Sequence, residues 1–252
     1  VSGELEKKPT RVGLGTNRLT DTPASHEFLR QAVDAGIDFI DTAHLYSSGE
    51  SEAAIGNALA PFDQGLTVAT KGAYAGGSSP DDLRRQIEES LKRLRTDTIE
   101  LYYLHRMHPE YSVEAMMSVI AEYRTMGHIK HVGVSEVSIE QIQLAEAVVP
   151  ISAVQNELNL GTGEWDEVVD HCTEREILFV PFFPLRGGDR TAIEQVAAEV
   201  GATPHQVKLA WLLKRSPVVL PIPGTLDIEH VRENLGALDV QLTDDQFARL
   251  SP

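Results

Sequence analysis

The sequence predicts an α/β fold, a (β/α)8 barrel built as a single domain. Three observations lead there. Short β-rich apolar runs alternate with helical patterns from end to end, the apolar runs number eight, and 252 residues suits one barrel of this kind. No internal repeat, low-complexity tract or Pro/Gly-rich linker divides the chain, so one domain over residues 1–252 is expected.

The strand candidates are residues 11–15, 38–40, 66–70, 99–103, 129–134, 153–155, 178–181 and 218–221. Helical spacing fills the intervals at 25–35, 51–60, 80–95, 113–126, 139–148, 166–175, 192–200 and 204–214. Within 80–95, Leu83, Ile87, Leu91 and Leu94 recur every three or four residues, which gathers them on one helix face. Ser79-Pro80-Asp81-Asp82 combines a cap, an early proline and early acids, and Thr203-Pro204 repeats that start signal. Strict alternation of strand and helix implies parallel strands joined by crossover helices. An open doubly wound sheet would usually grip a dinucleotide with a GxGxxG turn. Here Gly13-Leu14-Gly15-Thr16-Asn17-Arg18 lacks the third glycine, so the closed barrel is preferred.

Composition narrows the function classes. Hydrophobic residues make up 42%, enough for a sizeable core, and no apolar run approaches the length of a membrane helix. Residues 1–11 are polar and charged, without the apolar stretch of a signal peptide; the missing initiator Met implies some trimming. Cys172 is the only cysteine, which excludes an internal disulfide and fits a reducing, cytoplasmic location. Its place in a helical stretch reads as a packed, inert thiol. Acids outnumber Lys and Arg by 38 to 22, giving a net charge of −16, which argues against nucleic acid and anionic membrane as partners. A polyanionic cofactor would then need a local basic or backbone-lined site. The sequence points to a monomer and leaves a dimer open.

Barrel active sites form at the C-terminal ends of the strands, so the reactive side chains there matter most. Asp41, Lys71 and His105 follow the second, third and fourth strands; Ser135 follows the fifth and Gln155 ends the sixth. Tyr46 lies in the loop after Asp41. Each has an ordinary structural reading: a turn cap, a solvated lysine, a satisfied core histidine. Together they have a chemical one. A phenol of pKa near 10 is a poor proton donor at neutral pH, and an adjacent ammonium stabilises its phenolate. A buried lysine needs a carboxylate partner, which Asp41 can supply. A neutral imidazole at His105 can then orient a carbonyl oxygen.

The run Gly36-Ile37-Asp38-Phe39-Ile40-Asp41-Thr42-Ala43-His44-Leu45-Tyr46, continuing to Gly49-Glu50-Ser51-Glu52, resembles the aldo-keto reductase segment around its Asp and Tyr. Val68-Ala69-Thr70-Lys71 resembles the family's lysine strand, and Leu101-Tyr102-Tyr103-Leu104-His105-Arg106 its histidine strand. Gly133-Val134-Ser135 and Val154-Gln155-Asn156-Glu157-Leu158-Asn159 match two later cofactor segments in order. The likeness spans about residues 11–250 and leans toward bacterial relatives of pyridoxal reductase or enzymes acting on sugar-like carbonyls.

That resemblance implies NAD(P)H-dependent reduction of an aldehyde or ketone. Tyr46 would be the general acid, tuned by Lys71 and Asp41, with His105 positioning the carbonyl. Ser135, Glu136 and Gln155 would meet the nicotinamide carboxamide, and Phe182 would stack on the ring. Gly15, Thr16, Asn17 and Asp41 on one side, with Pro184 and Leu185 on another, would line the cofactor. Ile222, Gly224, Thr225, His230, Glu233 and Asn234 would take the adenosine-phosphate end, helped by backbone N–H groups at a helix start. The substrate pocket would draw on Asn17, His44, Tyr46, Tyr74, His105, Arg106, Met107 and His108. With Asn17 where many relatives have Trp, a polar carbonyl substrate is expected.

Three departures stand out. Glu136 occupies a position where the family has Asn, and an ionised Glu accepts hydrogen bonds but donates none. Gly224 and His230 replace the Lys and Arg that many relatives place on the 2′-phosphate, and Asp227 adds a negative charge; NADPH is expected first, with NADH open. The loop Arg186-Gly187-Gly188-Asp189-Arg190 is short, which implies weak closure over a cofactor. The pairs His105/His108 and His128/His131 fall at strand–loop and helix–strand junctions and read as no metal site. The rival to an enzyme is a nicotinamide-binding regulatory or accessory protein that has kept the barrel.

Overall fold

The computed structural model describes residues 9–74 and 78–251. Residues 1–8, part of the stretch read for a leader, lie outside the described residues. The described residues form seven strands: β1 (Leu14–Gly15), β2 (Phe39–Asp41), β3 (Thr67–Gly72), β4 (Ile99–Leu104), β5 (Ile129–Ser135), β6 (Ala153–Gln155) and β7 (Leu178–Phe179). They lie in chain order in one sheet, every neighbouring pair parallel. Every residue of β2, β3 and β6 is buried, as expected of parallel strands covered on both faces.

Alternation along the strands divides the core in two. Phe39, Ala69, Leu101, Tyr103, Ala153, Val180, Leu220 and Ile222 form one small cluster. Ile40, Val68, Tyr102, Leu104, Val134 and Val154 point the other way, into the large cluster under the helices. Successive side chains of a strand take opposite faces. Continuing the small cluster's face two residues along each strand leads from Phe39 to Asp41, from Ala69 to Lys71, from Tyr103 to His105 and from Ala153 to Gln155. The period of the sheet therefore delivers all four polar groups to one end of the inner face. Gly133 makes room there: a Cβ on it would lie 2.4 Å from the Tyr103 ring.

The helices are α1 (Pro23–Asp34), α2 (Glu50–Leu59), α3 (Pro80–Leu94), α4 (Val113–Thr125), α5 (Ile139–Glu146), α6 (Asp166–Glu174), α7 (Arg190–Val200), α8 (Pro204–Arg215), α9 (Ile228–Leu235) and α10 (Asp244–Leu250). The start signals at Ser79 and Thr203 do open α3 and α8, and each residue also closes a capping box. Helix α10 was not anticipated, although Thr243 and Gln246 form the same box. Among the described residues no helix is long and apolar enough to cross a membrane.

The eighth strand expected at 218–221 is not a regular strand, and the sheet has seven. In its place, Val219 makes an isolated parallel bridge to Phe179 and Gly224 one to Gly15. Leu220 donates to the Phe179 carbonyl at 2.8 Å on one side, while Gly13 donates to the Pro221 carbonyl at 3.0 Å on the other. Pro217, Pro221 and Pro223 have no N–H to give, which interrupts a ladder. Pro181 ends β7 early for the same reason, at Phe179 rather than 181.

Candidate active site

Asp41 and Lys71, one strand apart, form a buried ion pair, Lys71 Nζ to Asp41 Oδ1 at 2.6 Å. The ammonium also donates to the Thr42 carbonyl at 2.7 Å and to Tyr46 Oη at 3.4 Å. Asp41 accepts a second hydrogen bond, from Gln155 Nε2 at 2.8 Å, through Oδ2. One carboxylate thus fixes both the lysine and the glutamine. Burial works against the ammonium, but Asp41 and then Tyr46 outweigh it, so Lys71 sits above its ordinary 10.5 and keeps its proton.

Burial likewise holds the Tyr46 phenol above its usual 10.0; Lys71 pulls it down and Asp41 pushes it up. Lysine's influence is the one expected, yet burial wins, and Tyr46 is protonated at neutral pH. His105 meets the Tyr46 ring edge-on with centroids 6.0 Å apart and the Tyr74 ring at 4.9 Å. Its pKa is pushed down to about 2 by burial, then by Lys71 and Arg106, so the imidazole is neutral. His105 Nδ1 is buried without a hydrogen-bond partner among the described residues.

Tyr46 stands on a 3-10 turn, Tyr46–Gly49, in which Ser47, Ser48 and Gly49 have φ of 48°, 57° and 94°. Arg93 from α3 holds this turn. Its guanidinium donates to the His44 carbonyl, to buried Glu52 of α2 and to Glu89. The φ of 94° at residue 49 explains the glycine, since a side chain there would be strained. Below the turn, Ser51 links Thr16 and Thr42 by hydroxyl contacts of 2.9 and 2.7 Å.

A cavity of about 580 Å3 opens over these groups, lined by Asp41, Tyr46, His105 and Gln155 at its base. Gly15, Thr16, Asn17, Ile222 and Gly224 continue it to one side, and Tyr74, Arg106, Phe182 and Pro184 border the other groups. Ser135, at the end of β5, donates to the Gln155 carbonyl at 2.8 Å and accepts from Arg106 at 3.1 Å. Other expected residues stand apart from the cavity lining. The His44 side chain pairs with Glu89 at 2.7 Å, and Met107 and Leu185 pack against the core. Thr225 is buried with its hydroxyl 3.3 Å from His230, which is exposed on α9; Asn234 is buried and Glu233 partly so. His108 accepts from the Glu110 amide, away from the imidazole of His105.

Glu136 takes a left-handed φ of 55°, and its Oε1 is buried without a hydrogen-bond partner among the described residues. Three lining residues were not anticipated: Arg18, Leu45 and Phe183. Arg18 and Leu45 each adjoin an anticipated residue in the chain, so only neighbourhood could have revealed them. Phe183 lies between two anticipated residues, Phe182 and Pro184, and has a positive φ of 51°, which no pattern of residue types announces.

Asp41, Lys71 and Tyr46 in one chain of contacts beside a neutral histidine, at the strand ends of a parallel α/β sheet, have the groups to pass a proton to a bound oxygen. The family model "Aldo/keto reductase family" matches residues 11–251. The chain is 35% identical to an uncharacterised oxidoreductase of Schizosaccharomyces pombe, over 95% of this chain and 85% of that one. It is 34% identical to pyridoxine 4-dehydrogenase of Escherichia coli, over 97% and 94%. Among solved structures, a thermostable aldo-keto reductase in complex with the inhibitor epalrestat superposes with a TM-score of 0.90 at 30% identity, covering 99% and 97% of the two chains. An aldo/keto reductase from Klebsiella pneumoniae in complex with NADP and acetate gives 0.85 at 25% identity, covering 99% and 94%. The chain belongs to the aldo/keto reductase family.

Proposed function

We propose that this protein reduces an aldehyde or ketone to an alcohol with NADPH, with Tyr46 as general acid. The observation that carries the reading is Lys71, whose one ammonium touches both Asp41 and Tyr46 at the base of the cavity. When bound, a nicotinamide would supply the hydride that the carbonyl carbon takes up. The residues then have separate tasks. Tyr46 gives its proton to the carbonyl oxygen, Lys71 stabilises the phenolate left behind, and Asp41 keeps Lys71 charged. Neutral His105 hydrogen-bonds the same oxygen and orients it.

The residues fit such a cofactor. The cavity continues from the tetrad past Gly15 to Gly224, and a Cβ at Gly15 would meet the Ile222 carbonyl at 2.8 Å, so backbone lines that passage closely. Ser135, Glu136 and Gln155 are assigned to the carboxamide and Phe182 to the ring. Gly15, Thr16, Asn17, Pro184, Leu185, Ile222 and Gly224 are assigned to the body of the dinucleotide. Thr225, His230, Glu233 and Asn234 are assigned to its adenosine end. Arg18, donating to the Gly224 carbonyl at 3.2 Å, brings a cation there and supports NADPH over NADH. The substrate is a small polar carbonyl compound. The segment 218–224 serves as the eighth stave of a single-domain barrel, and the protein works as a cytoplasmic monomer.

Glu136 favours a second reading, a cofactor-binding accessory protein with little turnover, because its carboxylate oxygen is buried without a hydrogen-bond partner among the described residues, next to Ser135, which is assigned to the carboxamide. Tyr46→Phe separates the two. We expect NADPH titrated by fluorescence to bind the variant with unchanged affinity, while turnover of a reducible aldehyde falls about 100- to 10,000-fold. Wild-type protein that binds NADPH but reduces no aldehyde or ketone sinks the enzyme reading.

A further inference from the structure

Arg106 has no part in the proton relay, yet it is one of the groups lining the cavity. It follows His105 directly and is partly buried. Its guanidinium lies 5.3 Å from the centre of the Tyr74 ring and 6.0 Å from that of Phe182. Its hydrogen bonds, from Nη1, go to two uncharged acceptors, the His105 carbonyl at 2.9 Å and Ser135 Oγ at 3.1 Å. Among the described residues no carboxylate pairs with it. An arginine held between aromatic faces keeps its planar donor edge in a fixed orientation, and that edge matches two oxygens of a carboxylate.

The charge of the cavity points the same way. Its charged lining residues are Arg18, Asp41 and Arg106, and Lys71 neutralises Asp41. His105 is neutral. In a chain of net charge −16 the lining of the cavity is therefore net positive, and the buried carboxylate oxygen of Glu136 stands outside that lining. Its two free cations divide by place, Arg18 at Gly224 and Arg106 beside His105, where the carbonyl is reduced.

We infer that Arg106 selects carbonyl substrates that carry a carboxylate, gripping it while His105 and Tyr46 hold the carbonyl oxygen. This rests on the reductase reading proposed above and names its substrate class. A phosphate would ask for a second cation, and among the described residues that line this side of the cavity Arg106 is the one cation.

The test compares 4-oxobutanoate with its methyl ester as substrates at saturating NADPH, in wild type, Arg106→Met and Arg106→Lys. Wild type should prefer the acid in kcat/KM by about 10- to 100-fold, the span of a charge-assisted hydrogen bond. The preference should vanish in Arg106→Met through KM and survive in part in Arg106→Lys. Butanoate should bind the wild-type protein with NADP+ and bind Arg106→Met at least tenfold more weakly, which covers the case of poor turnover. Equal use of acid and ester by wild type, or no weakening of butanoate in Arg106→Met, overturns the inference. So does a weaker NADPH affinity in Arg106→Met with the acid-to-ester ratio intact, since Arg106 then serves only to hold Ser135. Failure of NADPH to bind wild type would instead strike the reductase reading itself.

Discussion

His105 stays neutral in mild acid, where a free imidazole is charged, and that has a consequence for stability. Its pKa in the folded protein is pushed down to about 2, against 6.5 for the free group. Below pH 6.5 the unfolded chain therefore binds a proton that the folded chain refuses. Stability from this residue is complete above pH 6.5 and is lost as pH falls from there toward 2. The loss is at most about 1.4 kcal/mol per pH unit, the slope for one proton. Denaturant melts at pH 7.5, 6.5, 5.5 and 4.5 should show His105→Gln falling less steeply than wild type. Parallel slopes would mean that the imidazole is protonated in the fold. The identity of such residues was plain in the chain, because Asp41, Lys71 and His105 each follow a recognisable apolar run. What the chain withheld was the balance at Tyr46, where burial outweighs the lysine, since no sequence pattern measures desolvation.

At the scale of elements, the loop that bears Tyr46 is held by a partner far away in the chain. Arg93 on α3 reaches Glu52 on α2 at 3.2 Å across 41 residues, and Glu52 is fully buried. Thr70 gives the same carboxylate a 2.6 Å hydrogen bond. The Gly49–Glu52 run was legible as part of a family segment, and the spacing of α3 put an apolar face inward. The pairing was not legible, because Arg93 sits on the polar side of α3 where any cation would satisfy the pattern. Replacing Arg93 by Met leaves the Glu52 carboxylate with one hydroxyl, at a cost of about 3–5 kcal/mol. Adding Glu52→Gln should return part of that stability. It should not return kcat, because the turn from Tyr46 to Gly49 remains unpinned in both variants and a misplaced acid costs about 100-fold. Calorimetry and steady-state kinetics on the two variants measure the split; full recovery of kcat with the double variant would show that Arg93 has no hold on Tyr46.

Over the whole molecule, alternation of strand and helix led to eight parallel strands, of which seven formed in chain order, and prolines decided where that rule stopped. A run such as Val218-Val219-Leu220 reads as a strand by its apolar side chains. The flanking Pro217, Pro221 and Pro223 leave it only scattered bridges, and residue types alone do not say how a sheet edge copes with that. Side-chain bonds take up the difference. Arg11, just before β1, donates from Nε to the Val219 carbonyl at 3.2 Å and from Nη2 to the carbonyls of Leu213 and Ser216. It thereby ties the first strand to the end of α8 and to the segment proposed as the eighth stave. Arg11→Met removes all three donors but keeps the aliphatic stem, so packing is nearly conserved. Stability should fall by about 2–4 kcal/mol and the melting temperature by roughly 5–15 °C. Arg11→Lys, with a single ammonium for three carbonyls, should fall between the two. The isolated bridges at Phe179–Val219 and Gly15–Gly224 persist in either variant, so a melting temperature unchanged within 2 °C would assign the closure to those backbone contacts alone. A graded loss across Met and Lys would make this arginine the clasp between the two ends of the sheet.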